Sequence, residues 1–144
     1  MSKINTRSKP DTPDRLRDPE TLAASTVVRS FLSTMESRDL ERARHYLSPE
    51  FQMTFPGNAC FSELEELVAW GKSRYRAIAK SYTRFDEIGD GEDAIVYCFG
   101  RLSGVLPDGT NFDGIRFIDR FTVRDGKLLD QQVWNDMAEY LGSR

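Results

Sequence analysis

A chain of 144 residues, 39% apolar and 30% charged, is sized for one globular domain with a real core. Its net charge of −3 speaks against a dedicated nucleic-acid binder, and the cluster of Arg29, Arg38, Arg42 and Arg44 reads as a solvated helical face. No run approaches the ~18 apolar residues of a membrane span, the first twenty residues hold no apolar stretch of the kind a signal peptide needs, and Cys60 and Cys98 form neither a metal spacing nor a redox pair, so a reducing cytoplasm is expected.

Residues 1–17 are polar and lack a hydrophobic period, which predicts a disordered N-terminal tail before a single domain over 18–144. Asp18, Pro19 and Glu20 then provide a cap and a first helical turn. Leu22, Val27, Val28, Phe31, Leu32 and Met35 follow at helical spacing, to about Glu36. Asp39 can cap a short second helix carrying Leu40, Ala43 and Leu47, with Ser48-Pro49-Glu50 as its stop. Phe51, Met53 and Phe55 alternate with Gln52 and Thr54, the period of a strand with one buried face. Ser62-Glu63-Leu64-Glu65 has the form of a capping box. The helix it opens carries Leu64, Leu67, Val68, Tyr75 and Ile78, and Gly71 costs it about 1 kcal/mol relative to alanine.

From residue 82 onward strands and turns take over. Ala94–Leu102, Gly114–Val123 and Leu128–Asp136 are expected strands, separated by Leu106–Thr110 and Arg124–Gly126. Helices first and an antiparallel meander after them make the class α+β, with helices on one sheet face. Alternation along Gly114–Val123 puts Asp119 on one face with Ile115, Phe117, Phe121 and Val123. A carboxylate among phenylalanines is desolvated, a setting that suits a general acid or base; an ion pair with Arg101, Arg116 or Arg120 would serve the sheet instead. The last hairpin has two registers. A two-residue turn at Asp125-Gly126 sets Asp119 opposite Gln132, Phe117 opposite Trp134 and Ile115 opposite Asp136. A one-residue bulge brings in Gln131 and Val133 and turns Asp136 away.

Three stretches carry a family resemblance: "DLERARHYLSPEFQMTFPG" (Asp39–Gly57), "GVLPDGTNFDGIRFIDRFTV" (Gly104–Val123) and "DGKLLDQQVWNDMAEYLG" (Asp125–Gly142). Together with the element order, they resemble the nuclear transport factor 2-like superfamily, in particular its SnoaL-like branch. The resemblance implies a strongly curved, mixed but mostly antiparallel sheet wrapped around the N-terminal helices, forming a cone with an apolar pocket. Such a fold hosts polyketide cyclases, a steroid isomerase, epoxide hydrolases, dehydratases and non-catalytic domains, and many members dimerise through the sheet. One fold with so many roles leaves function to the pocket residues.

Within that frame the expected catalytic residues are Asp119, Asp136 and Tyr75, the tyrosine polarising a carbonyl beside an aspartate. Trp70, Tyr97, Arg101, Phe117, Gln132 and Trp134 are the expected pocket lining. Arg101 resembles the arginine of an Arg-x-Asp element of epoxide hydrolases, but Ser103 stands where the aspartate belongs. His45, the only histidine, falls in a helix, so neither the strand histidine of the dehydratases nor a histidine-rich metal site is expected. Two readings follow: a cofactor-free isomerase or cyclase acting on a small apolar carbonyl or polycyclic substrate, and a non-catalytic apolar-ligand or dimerisation domain. The expected partners are a small apolar molecule and a second copy of the chain, with no nucleic acid, membrane, metal or cofactor.

Overall fold

The computed structural model describes residues 23–142; the expected tail, the Asp18 cap and Leu22 lie outside them. Helix α1 (Ala24–Glu36) and the short α2 (Leu40–Arg44) precede strands β1 (Leu47–Phe55) and β2 (Ala59–Phe61). Helix α3 (Leu64–Arg74) leads into β3 (Ala77–Asp90), β4 (Asp93–Val105), β5 (Asn111–Arg124) and β6 (Lys127–Asn135), and α4 (Met137–Gly142) closes the chain. The six strands form one curved, unclosed sheet in the order β2-β1-β6-β5-β4-β3. Every neighbouring pair is antiparallel except β1 with β6.

The apolar stripe of α1 drives the packing. Val27, Val28, Phe31 and Leu32 are buried against the concave sheet face. The Phe31 ring meets Phe51 and Phe121 edge-on, with centroids 6.1 and 6.2 Å apart, and full burial of such a side chain stabilises by about 1.5–3 kcal/mol.

Four local expectations are corrected. Ser48-Pro49-Glu50 does not end a helix: α2 stops at Arg44, and Leu47 already belongs to β1. Pro49 is tolerated there because pairing with β6 is interrupted between Leu47 and Gln52, so its missing N–H leaves no gap in the ladder. The N-cap of α3 is Glu63 rather than Ser62, and the Glu63 N–H donates to Glu66 Oε1 at 3.3 Å. The helix expected to reach Ile78 ends at Arg74. Tyr75 is extended (φ −139°, ψ 145°), and the Arg76 N–H donates to Val105 O at 2.8 Å, so sheet pairing takes the chain one residue later.

Two glycines on β4 let the sheet curl. A Cβ on Gly100 would lie 2.1 Å from Ser81 O and 2.8 Å from the Phe117 ring. On Gly104 it would lie 2.1 Å from Ala77 O and 2.9 Å from the Phe112 ring. The β3 backbone therefore approaches β4 where no side chain can stand. Register shifts at Tyr82/Arg84 and Leu102/Gly104 add the local bend expected of bulges.

Candidate functional site

The site is set by the register of β5 and β6. Phe121 pairs with Gln131, Asp119 with Val133 and Phe117 with Asn135, and the ladder shifts between Thr122 and Val123. This is the bulged register, with Leu129 as the extra residue. The Asp130 carboxylate stabilises it by accepting the Thr122 N–H at 3.2 Å. Gln131, Val133 and Asn135 consequently turn inward with Asp119.

The expected lining changes accordingly. Gln132 and Trp134 lie on the outer sheet face, where Trp134 is 51% exposed. Tyr97 and Arg101 also face outward, because Cys98, Gly100 and Leu102 occupy the inner phase of β4. Tyr97 stacks on Phe99 at 6.4 Å. Asp136 sits outside the cavity and accepts from Arg116 Nε at 2.6 Å, an ion pair whose side chains are 40% and 72% exposed. None of these five residues lines the cavity.

Phe117, Trp70, Tyr75 and Asp119 do line it. The cavity holds about 330 Å³, at the lower end of the roughly 300–1,000 Å³ of small-molecule sites. Phe31, Leu32 and Met35 of α1 form one wall, and Leu67, Val68 and Trp70 of α3 form another. Trp70 is held by Phe55 and Phe61, with centroids at 5.6 and 5.4 Å, and Tyr75 packs on Phe112 at 6.0 Å. No hydrogen bond joins Tyr75 to Asp119 among the described residues.

The chemistry is concentrated on the sheet wall. Asp119 is completely buried, with 0% exposure. Its ion-pair partner is none of Arg101, Arg116 or Arg120, which all lie on the outer phase, but Lys80 of β3, whose Nζ donates to Asp119 Oδ2 at 2.7 Å. Lys80 crosses the Phe117 ring to get there, with Nζ 4.9 Å from the centroid. Gln131 Nε2 reaches the same oxygen at 3.5 Å, and Asp119 Oδ1 is buried without a partner. Burial works against the Lys80 charge, but Asp119 outweighs it and the ammonium is held above its ordinary range. Burial also pushes the Tyr82 hydroxyl, another lining group, up to about 12, so it remains a neutral donor.

The arrangement is an ammonium facing an apolar cavity, backed by a carboxylate with one spare oxygen. Sequence reasoning missed Lys80 because a lysine on a polar edge strand has the signature of a surface residue; its inward phase with Ile78 was the available signal. Gln131 belongs to the bulged register, and Asn135 follows from the β5–β6 ladder. Among the described residues no three His, Cys, Asp or Glu side chains converge as a metal set, and His45 is exposed at the end of α2. No helix there is long and apolar enough to cross a membrane.

A profile of the SnoaL-like domain matches residues 28–131, well over half of the chain. No curated protein matches the sequence. Among solved structures, TerC co-crystallised with polyporic acid is 17% identical, with a TM-score of 0.68 over 83% of this chain and 95% of that one. An NTF2-like protein of unknown function from Burkholderia pseudomallei K96243 is also 17% identical, with a TM-score of 0.67 over 85% and 97%. A protein from Jannaschia sp. CCS1, provisionally assigned as a SnoaL-like polyketide cyclase, is 20% identical, with a TM-score of 0.61 over 87% and 93%. At these identities the structural likeness speaks for the fold, which is NTF2-like, and the profile names the family: the chain belongs to the SnoaL-like domains.

Proposed function

We propose that the chain binds a small apolar carbonyl compound in this cavity and turns it over without a cofactor, as an isomerase or an aldol-type cyclase. The observation that carries the reading is the Lys80–Asp119 pair on the wall of an otherwise apolar cavity. An ammonium in such an enclosure donates to a carbonyl oxygen and gains strength as negative charge develops there. A substrate oxygen that draws Lys80 away from Asp119 Oδ2 frees the carboxylate. Asp119 then accepts the proton leaving the carbon beside the carbonyl and returns it at a second position or to the aldol oxygen. The co-crystallisation of TerC with polyporic acid and the provisional cyclase assignment of the Jannaschia protein support a small-molecule role.

The second reading, a ligand-binding domain without catalysis, is favoured by one observation: Asp119 is wholly buried and already paired. Exchange of the α-hydrogens of 2-tetralone in deuterated buffer, followed by NMR, separates the two. Catalysed exchange that falls about 100-fold or more in Asp119→Asn, with binding retained, supports the enzyme. Binding with exchange at the buffer rate supports the second reading. We further propose that two copies associate through the outer sheet face, where Ile118 and Trp134 are exposed.

A further inference from the structure

We infer that the ligand of this cavity is an anion: an apolar ring body carrying a carboxylate or an acidic hydroxyl. The inference rests on the reading that the cavity holds a small molecule, and it sharpens the class of that molecule.

Its ground is the charge that lines the cavity. Lys80 and Asp119 neutralise each other on the inner wall. The remaining charged lining residues are Arg38, Lys72 and Arg76 against Glu36, all exposed at the mouth. That is three cations and one carboxylate in a chain whose net charge is −3.

Four of the ten cations elsewhere among the described residues have ion-pair partners. Arg44 pairs with Glu65, Arg84 with Asp86, Arg116 with Asp136 and Arg124 with Asp93. At the mouth, no carboxylate of the described residues lies within ion-pair distance of Arg38, Lys72 or Arg76. Among the described residues the two arginines donate to neutral carbonyls, Arg38 to Met35 O at 2.6 Å and Arg76 to Pro107 O at 3.0 Å, contacts that do not cancel their charge.

An anion drawn to this mouth meets a positive field before it meets the apolar walls, and field focusing by low-dielectric walls strengthens the pull. Its ring body then fills the space between Met35, Leu102 and Trp70, and its charged oxygens remain with the mouth cations.

The test uses two matched probes, indane-2-carboxylate and the neutral indane-2-carboxamide. Affinities are taken by calorimetry, and binding is located by Trp70 fluorescence in a Trp134→Phe background, which leaves Trp70 as the one tryptophan. The carboxylate is expected to bind about tenfold more tightly at low ionic strength, with the gap closing towards about twofold near 0.5 M salt. Lys72→Gln/Arg76→Gln should remove most of that preference, bringing the carboxylate's affinity down towards the carboxamide's. Equal affinity for the two probes overturns the inference and leaves the small-molecule reading standing. A preference that survives both salt and the double substitution overturns the assignment of the charged oxygens to the mouth cations. If neither probe binds, both readings fall.

Discussion

Lys80 Nζ and Asp119 Oδ2 stand 2.7 Å apart although β4 lies between their strands, so the ion pair bridges the sheet over a neighbour without a side chain at Gly100. Removing one member of a buried pair leaves an uncompensated charge, at about 3–5 kcal/mol for full burial. Lys80 keeps 24% of its side chain exposed, which screens the pair and lowers the expected cost of Asp119→Leu or Lys80→Met to about 2–3 kcal/mol each. The double variant should cost clearly less than the sum, because two apolar groups replace a paired charge. Urea denaturation of all four proteins measures the coupling. Strict additivity would mean that the contact contributes nothing.

A second prediction concerns alkaline pH. Burial, aided by the Asp119 charge, pushes the Cys98 thiol from its ordinary 9.0 to about 12. The unfolded chain therefore loses that proton near pH 9 while the folded chain keeps it, so stability falls as pH rises. The slope is about 1.4 kcal/mol per pH unit, beginning near pH 9. Tyr82, also raised to about 12, and Lys80, held above 10.5, act with the same sign but only above about pH 10. Between roughly pH 9 and 10 the slope belongs mainly to Cys98. Cys98→Ala should be less stable at neutral pH yet lose stability less steeply across that interval. Parallel slopes for the two proteins would remove this account.

Gly100→Ala should be among the most damaging single-methyl additions in the chain. Its Cβ would fall 2.1 Å from a backbone oxygen of β3, which cannot rotate aside as a side chain can, and against the ring that Lys80 crosses. Overpacking costs typically about 1–3 kcal/mol, and a backbone clash belongs at the upper end. Gly71→Ala is the control: nothing lies within 4 Å of the added Cβ, and the change should stabilise α3 by up to about 1 kcal/mol. Thermal melts of the two variants should move in opposite directions.

How much of this was legible differs by element. The stripe on α1, the Asp39 cap and the inward face of β5 could be read because burial on one side imposes a period; Asp119 was placed by that period alone. The hairpin register could not be read, since it depends on whether Asp130 accepts the Thr122 N–H, a side-chain contact invisible to alternation. That one bulge decided whether Asp136 and Gln132 or Val133 and Gln131 would join Asp119. Strand β3 was hidden because it is an edge strand, largely exposed, and its inner phase carries Lys80 where a periodic reading looks for an apolar residue. The three residues of β2 are too few to show any period.

The outer face supplies the last prediction. Part of its aromatic surface is already covered, since Arg84 lies over Phe99 at 4.7 Å and Arg120 approaches Tyr97 at 6.0 Å. Ile118 and Trp134 pair across β5 and β6 with 37% and 51% of their surfaces open, leaving an apolar spot beside the Arg116–Asp136 pair. A two-fold partner would bury that spot against its own copy, an isologous contact needing no further complementarity. Ile118→Asp/Trp134→Asp places four like charges at such an interface. It should shift the chain to monomer in sedimentation velocity while leaving indane-2-carboxylate binding unchanged, because neither residue touches the cavity. A wild-type chain that sediments as a monomer across the concentration range would end the proposal of sheet-mediated pairing.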